Sequence, residues 1–180
     1  MKTFSKIAFI VCFLFAFNYS SIYAQNGAAQ FSAKINGSDF VPTPEDGFSQ
    51  IFAVLVKTPM FFQLSINGGT VIDNVAKSIL VSIMDEKSFN TVGPNTVWDS
   101  KNNTGEDFPT GHYFEVQNDN EKEASTESTE DSYLKITSID KVNKLVSGEF
   151  RFTASDGVNT YKITDGVFTN VSYKNLKEYK

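Results

Sequence analysis

The stretch SGEFRFTASDGVNTYKITDGVFTNVSY (Ser147–Tyr173) decides the fold, because it has the pattern of two long strands joined by one turn. Apolar side chains occupy alternate positions from Phe150 to Ala154, as in a strand with one buried face. The Asp156-Gly157 pair then allows the chain to reverse, since Asp bonds its own backbone and Gly tolerates a positive φ. We therefore expect this stretch to form a hairpin in an antiparallel sheet.

The second strand of this hairpin requires an irregularity to keep its apolar residues together. Tyr161 and Ile163 share one face, and simple alternation would place Phe168 on the other. A β-bulge adds one residue to a strand, and glycine favours such a site. The sequence thus predicts a bulge at Gly166 that returns Phe168 to the buried face.

Short strands are predicted along the rest of the chain. Turns are expected at Asn36-Gly37 and at Asn67-Gly68-Gly69, where breakers separate apolar runs. The continuous run 51–56 predicts a strand buried on both faces or one at the centre of a sandwich. A helix is the alternative for 77–85, although its β-branched residues favour a strand. The apolar stretches are 31–35, 38–41, 50–57, 60–66, 77–85, 112–117 and 133–139.

These patterns predict an all-β protein, an antiparallel β-sandwich of about 8–10 strands, with a β-barrel as the alternative. Residues 86–111 are rich in Gly, Pro and Asn and predict a loop with one short strand at most. Residues 118–132 are acidic, with no aliphatic side chain larger than Ala, and predict an acidic loop. The segment 25–180 is expected to be a single domain.

Residues 1–24 have the pattern of a secretory signal peptide. Lys2 and Lys6 precede the apolar run Ile7–Phe17, and Ala24 offers a small residue for cleavage before Gln25. A transmembrane anchor is the rival interpretation, but this run is shorter than the roughly 20 apolar residues that a span needs. The sequence therefore predicts an exported protein, periplasmic or extracellular, with no transmembrane segment after cleavage.

Cleavage would remove Cys12, the one cysteine of the chain. The mature protein could then form no disulfide and no thiolate metal site, and its own sequence offers no lipoprotein cysteine. Loss of two lysines leaves 14 basic against 21 acidic side chains, a formal charge of −7. This charge argues against nucleic-acid binding and against electrostatic docking to anionic lipid.

Two parts of the chain resemble a family of secreted bacterial proteins, common in the Bacteroidetes lineage and classed as a domain of unknown function. The opening Phe31–Gly37 fits F-x-A-x-I-N-G. The closing residues Gly148–Ala154 and Ile163–Phe168 fit G-x-F-x-F-x-A and I-T-x-G-x-F. Many members carry a lipoprotein cysteine after the signal, which this chain lacks. The resemblance implies no activity, no cofactor and no catalytic residue.

Aromatic residues in or near the irregular region are the candidate ligand-facing side chains: Trp98, Phe108 and Tyr113. Sugar-binding sandwiches present such rings to their ligands, although large aromatics are commonly buried. His112 is the one histidine, and no nucleophile motif lies beside it, so it is expected to be a surface or strand-end residue. Asp119, Glu121 and Glu123 alternate as calcium ligands could, but no glycine-enabled bend accompanies them.

We therefore expect no catalytic residues, no metal site and no cofactor. The sequence favours a non-catalytic binding or structural module at the cell envelope, with a glycan or another envelope protein as its partner. The alternatives are a carbohydrate-binding module and a carboxylate-based hydrolase, whose two acids would flank a cleft. A purely structural role would instead require a long unpaired edge strand.

Overall fold

The computed structural model of the chain describes residues 28–42, 50–101, 108–118, 120–126 and 131–176. These residues form eleven strands and one short 3-10 helix, Phe89–Thr91, and they contain no helix long and apolar enough to cross a membrane. The expected all-β class is confirmed. The strands are β1 (Gln30–Ile35), β2 (Ser38–Phe40), β3 (Gln50–Lys57), β4 (Phe62–Ile72), β5 (Val75–Asp85), β6 (Val97–Asp99), β7 (Thr110–Gln117), β8 (Asn120–Ser125), β9 (Ser132–Asp140), β10 (Leu145–Ser155) and β11 (Thr160–Asn175).

The strands pair in the order β2-β1-β11-β3-β4-β5-β7-β8-β10-β9-β6, and β10 also pairs with β11. This extra pairing closes a ring of strands that runs from β11 through β3, β4, β5, β7 and β8 to β10. All pairs are antiparallel except β11 with β3. The ring is completed by a single bridge, Ser155 opposite Ser125.

Two layers face each other across the core. The front layer consists of β2, β1, β11, β10, β9 and β6, and the back layer of β3, β4, β5, β7 and β8. Rings of the front layer fill spaces over glycines of the back layer. A Cβ on Gly68 would lie 2.3 Å from the Phe31 ring, and one on Gly111 would lie 2.2 Å from the Phe152 ring. The fold thus combines facing layers with a closed ring of strands, which agrees with both the expected sandwich and its barrel alternative.

The closing hairpin forms as predicted, with its irregularity one residue earlier. Phe150 pairs with Gly166 and Phe152 with Ile163, so two residues of β11 lie opposite Arg151. The left-handed residue is Asp165, with φ +52°, while Gly166 is extended. Glycine is needed at 166 because a Cβ there would lie 2.5 Å from the Phe150 carbonyl oxygen.

Phe168 is fully buried, as the predicted bulge required. A second extra residue follows at Asn170, also with φ +52°, where Val146 pairs with Val171 and Gly148 with Phe168. Two bulges therefore bend β11, which pairs with strands of both layers.

One of the two predicted turns is wrong. Asn36-Gly37 joins β1 to β2 with positive φ at both residues, as expected for a tight hairpin. Asn67-Gly68-Gly69, in contrast, continues β4, and the chain reverses at Asp73-Asn74. Gly68 is in a strand because the Phe31 ring occupies its side-chain space.

The acidic segment 118–132 is not a loop throughout, because residues 120–125 form β8 along β7. Only Ala124 of this strand is buried, and Lys122 bonds Glu115 across the pair. Pairing with a neighbour thus overrides a composition typical of disorder. Residue 119 and residues 127–130 lie outside the described residues.

The run 51–56 forms β3 but is fully buried on one face only. Ala53 and Leu55 are in the core, whereas Phe52, Val54 and Val56 on the other face are partly exposed. Residues 77–85 form the strand β5, so the helical alternative is wrong. The predicted signal peptide 1–24, its cleavage site before Gln25, residues 43–49 and residues 177–180 lie outside the described residues.

Candidate functional site

Trp98, the leading candidate for ligand contact, is a core residue. Its side chain is 4% exposed and its Nε1 donates a 2.8 Å hydrogen bond to Oδ2 of Asp85. The backbone N–H of Lys87 donates to the other oxygen of this buried carboxylate at 2.7 Å. The ring also meets Phe62 edge-on at 6.3 Å. The expectation that Trp98 faces a ligand is therefore corrected: it closes one end of the core and satisfies a buried acid.

Tyr113 is also buried, at 2% exposure, so it presents no ring to a ligand. It packs on Tyr161 with ring centroids 4.6 Å apart, and its hydroxyl donates a 2.7 Å hydrogen bond to Glu115. Burial raises the pKa of this hydroxyl above its usual range, and the bond to Glu115 adds to the effect. Phe108 is half-buried before β7. The three candidates thus form no common aromatic surface.

Glu115 is the centre of a polar cluster next to Tyr113. Lys122 donates to Oε1 of Glu115 at 2.7 Å, and the Lys77 ammonium lies 3.6 Å from Oε2. The hydrogen bond from Lys122, followed by that from Tyr113, holds the pKa of Glu115 below its usual range. The carboxylate is therefore ionised at neutral pH, and its oxygens contact two lysines and a hydroxyl. These contacts link β5, β7 and β8.

A second charged cluster lies on the outer face of the front layer, around the one arginine of the chain. Arg151 stacks over the Tyr133 ring at 4.3 Å, and its nitrogens lie 3.9 Å from Asp99 and 3.7 Å from Asp131. Lys101 contacts the same oxygen of Asp131 at 2.9 Å. Both carboxylates face cations, so this acid pair links β6, the start of β9 and β10.

His112 stacks on Phe114, with ring centroids 6.2 Å apart and planes at 10°. Burial lowers its pKa to about 4, so the imidazole is neutral at physiological pH. Glu121 and Glu123 are exposed on β8, and Asp119 lies outside the described residues. Within the described ranges, no three His, Cys, Asp or Glu side chains approach closely enough to hold a metal ion.

Two turns of the same sequence pattern present exposed valines. In Asp140-Lys141-Val142-Asn143 the carboxylate accepts hydrogen bonds from the backbone N–H of Val142 and Asn143 and from the Asn143 amide. Asp156-Gly157-Val158-Asn159 repeats this geometry. Val142 is 89% exposed and Val158 90%. The repeated Asp-x-Val-Asn pattern was readable from the sequence, although the exposure of its valine was not.

The turns lie at opposite ends of β10, which begins at Leu145 and ends at Ser155. Their carboxylates have pKa values below the usual range because each is bonded to the asparagine three residues later. Among the described residues, these two turns with exposed apolar tips are thus surface features that packing of the chain does not explain.

The fold and these sites define a β-sandwich-like module. Side chains fill the space between its layers, and the carboxylates of its charged clusters already contact cations or hydrogen-bond donors. Residues 86–172 match the profile of a family described as a domain of unknown function (DUF6252). No curated protein and no solved structure matches the chain significantly.

The matched stretch agrees with the expected similarity to an uncharacterised family. It includes the closing motifs on β10 and β11 but stops short of the opening Phe31–Gly37, so the full motif set and the bacterial lineage stay predictions. The matched stretch packs against strands outside it, because the Phe150 ring lies 5.2 Å from that of Phe31.

Proposed function

We propose that the chain is an exported, non-catalytic β-sandwich module that binds a partner at the cell envelope through its outer surface. The observation that supports this most is the filled interior. The Phe31 and Phe152 rings occupy the space over Gly68 and Gly111. A small sheet closed on itself either is packed with side chains or holds a ligand, and this packing favours the first. We therefore assign recognition to the surface.

The charged clusters favour binding over catalysis. A general acid or base must reach the substrate with a proton to give or take. Glu115 is engaged by two lysines and a tyrosine hydroxyl, and Asp85 is engaged by an indole and a backbone N–H. Both carboxylates already accept hydrogen bonds from neighbouring groups, which supports a structural role for them.

Export is tested by expressing the full chain with a C-terminal tag in a bacterium and determining the N-terminus of the fractionated product. We expect a processed chain that begins at Gln25 outside the cytoplasm. The control is Ile10→Asp, which places a charge in the predicted apolar run and should leave the chain unprocessed. Recovery of the wild-type chain in the cytoplasm, still beginning at Met1, would contradict export.

Envelope binding is tested with envelope fragments of the cell that makes the protein. The processed chain should bind them saturably, and the heat-unfolded chain should not. The same preparation is incubated with soluble polysaccharides and analysed for new reducing ends. Absence of saturable binding would contradict the proposed role, and release of reducing ends would favour the hydrolase alternative.

A further inference from the structure

One end of the sandwich combines exposed apolar tips with lysines. We call it the basic end and define it as the turn after β3 (57–61), the segment from Glu86 to Thr91 and the turn after β9 (140–144). Met60, at 75% exposure, is the tip of the first turn, and Val142 is the tip of the last. The lysines are Lys57, Lys87, Lys141 and Lys144.

A shared ring holds the parts of the basic end together. The Lys57 ammonium lies 4.8 Å from the centre of the Phe89 ring, and that of Lys141 lies 5.7 Å from it. Lys141 also donates a 2.8 Å hydrogen bond to the backbone oxygen of Asn90. Phe89 itself is buried against Phe62 and Tyr173. The two apolar tips therefore project from one fixed base.

Each tip is held by side-chain hydrogen bonds within its own turn. Thr58 Oγ1 accepts from the backbone N–H of Met60 at 3.2 Å and of Phe61 at 3.0 Å. Asp140 holds the Val142 turn in the same way, through 2.9 and 2.8 Å bonds to the backbone of Val142 and Asn143. Little conformational entropy is then lost when the tips enter an apolar medium.

The charges of the basic end are opposite in sign to those of the whole chain. Against its four lysines the basic end carries two acids, Glu86 and Asp140, and the Asp140 carboxylate is bonded to its own turn. The neighbouring Asp85 is buried against Trp98. The full chain, in contrast, carries a formal charge of −5. The negative net charge of the chain therefore does not reveal that this end is locally cationic.

The second Asp-x-Val-Asn turn provides an internal comparison. Val158 is as exposed as Val142, and Asp156 holds its turn through the same three bonds. Gly157 and Thr160 stand there in place of Lys141 and Lys144. The two valines thus differ in the charge around them.

We propose that the basic end docks on an anionic lipid surface, with Val142 and Met60 entering the headgroup–acyl boundary and the lysines contacting lipid phosphates. Exposed apolar groups beside cations are the recognised pattern of interfacial binding. Two separate convex tips suit a deformable apolar medium, whereas a folded acidic protein would need two matched pockets. This inference rests on the proposed function and names the partner as the membrane itself.

The test is co-sedimentation of the chain from residue 25, which retains every described strand, with phosphatidylcholine vesicles that contain or lack phosphatidylglycerol. Circular dichroism verifies that each variant is folded. We expect binding to the anionic vesicles only, weakened by salt. Lys141→Gln and Lys87→Gln should each lower the partition coefficient by about fivefold. Val142→Ser should lower it by roughly fivefold, because partial insertion of the valine is lost.

The matched control is Val158→Ser, which should leave vesicle binding unchanged. Equal effects of the two valine substitutions, or equal binding to both vesicle types, would overturn the proposal. Stronger binding to polyglutamate than to anionic vesicles, insensitive to Val142→Ser, would assign the basic end to an acidic protein instead. Saturable binding to envelope fragments without binding to vesicles would refute this inference and leave the proposed function standing.

Discussion

Replacement of Gly68 by alanine should destabilise the protein through overpacking between its two layers. The new Cβ would lie 2.3, 2.4 and 2.7 Å from Cδ1, Cγ and Cε1 of Phe31. Carbon atoms in good contact are about 3.5–4.0 Å apart, so the ring or β4 must move by more than about 1 Å. The Phe31 ring has little room, because Phe40 and Phe150 pack against it at 6.3 and 5.2 Å.

We expect Gly68→Ala to lower the free energy of unfolding by about 1–3 kcal/mol, the usual cost of an overpacked core. The adjacent Gly69 gives a matched control, since an added Cβ there has no neighbour nearer than 3.5 Å. Neither glycine has a positive φ. Gly69→Ala should therefore be neutral or stabilise by about 0.4–1 kcal/mol, through reduced entropy of the unfolded chain.

Urea unfolding, followed by the fluorescence of the single tryptophan, measures both variants. The midpoint should fall for Gly68→Ala at an unchanged slope and should hold or rise for Gly69→Ala. Phe31→Leu should make room for the added methyl group, so the double variant with Gly68→Ala should lose less than the two single losses combined. Equal midpoints for the two alanine variants would refute the reasoning, because the contact between the layers would then carry no energetic weight.

Two further predictions concern carboxylates that accept side-chain hydrogen bonds. Trp98→Phe should lower the free energy of unfolding by about 1–3 kcal/mol, because the buried carboxylate of Asp85 loses its indole donor; an unchanged urea midpoint by circular dichroism would argue against that role. Glu115→Gln should destabilise the protein at neutral pH, and the difference from wild type should shrink as pH falls below the ordinary value of 4.5. The sign follows from the lowered pKa of Glu115 in the folded state. Such a group contributes stability at pH values above its unfolded pKa, and this contribution is lost as the pH falls through its folded pKa. A difference that stays constant down to pH 3 would contradict this account.

The strand pattern was predictable wherever local signals agreed with tertiary packing. The alternation from Phe150 to Ala154 and the Asn36-Gly37 turn appear as expected. The turn predicted at Asn67-Gly68-Gly69 was wrong because Gly68 lies in a strand under the ring of a distant residue, Phe31, and no local pattern reveals that contact. The strand β8 was missed for a related reason, since its pairing with β7 and not its composition determines its structure.

The expected site depended on which aromatics are exposed, and sequence does not settle that. Trp98 stands among breakers, a context typical of loops, yet Asp85 on another strand provides a partner that keeps its indole inside. Tyr113 is also buried, and Glu115 accepts the hydrogen bond of its hydroxyl. Conversely, Val142 is a small apolar residue that composition assigns to the core, although its turn presents it to solvent. Exposure is set by the position of a residue on an element and by its long-range neighbours.

The last strand of the chain also determines when the protein can fold. β11 pairs with β10, with β1 and with β3, so it joins the N-terminal hairpin to the rest of the front layer and links the two layers. A chain still on the ribosome and ending at Asn159 lacks all three pairings. Native closure thus has to wait until β11 has been synthesised, as expected for a topology dominated by distant contacts. The export that we propose would benefit from this order, because a chain that has not yet closed can be threaded through a secretion channel.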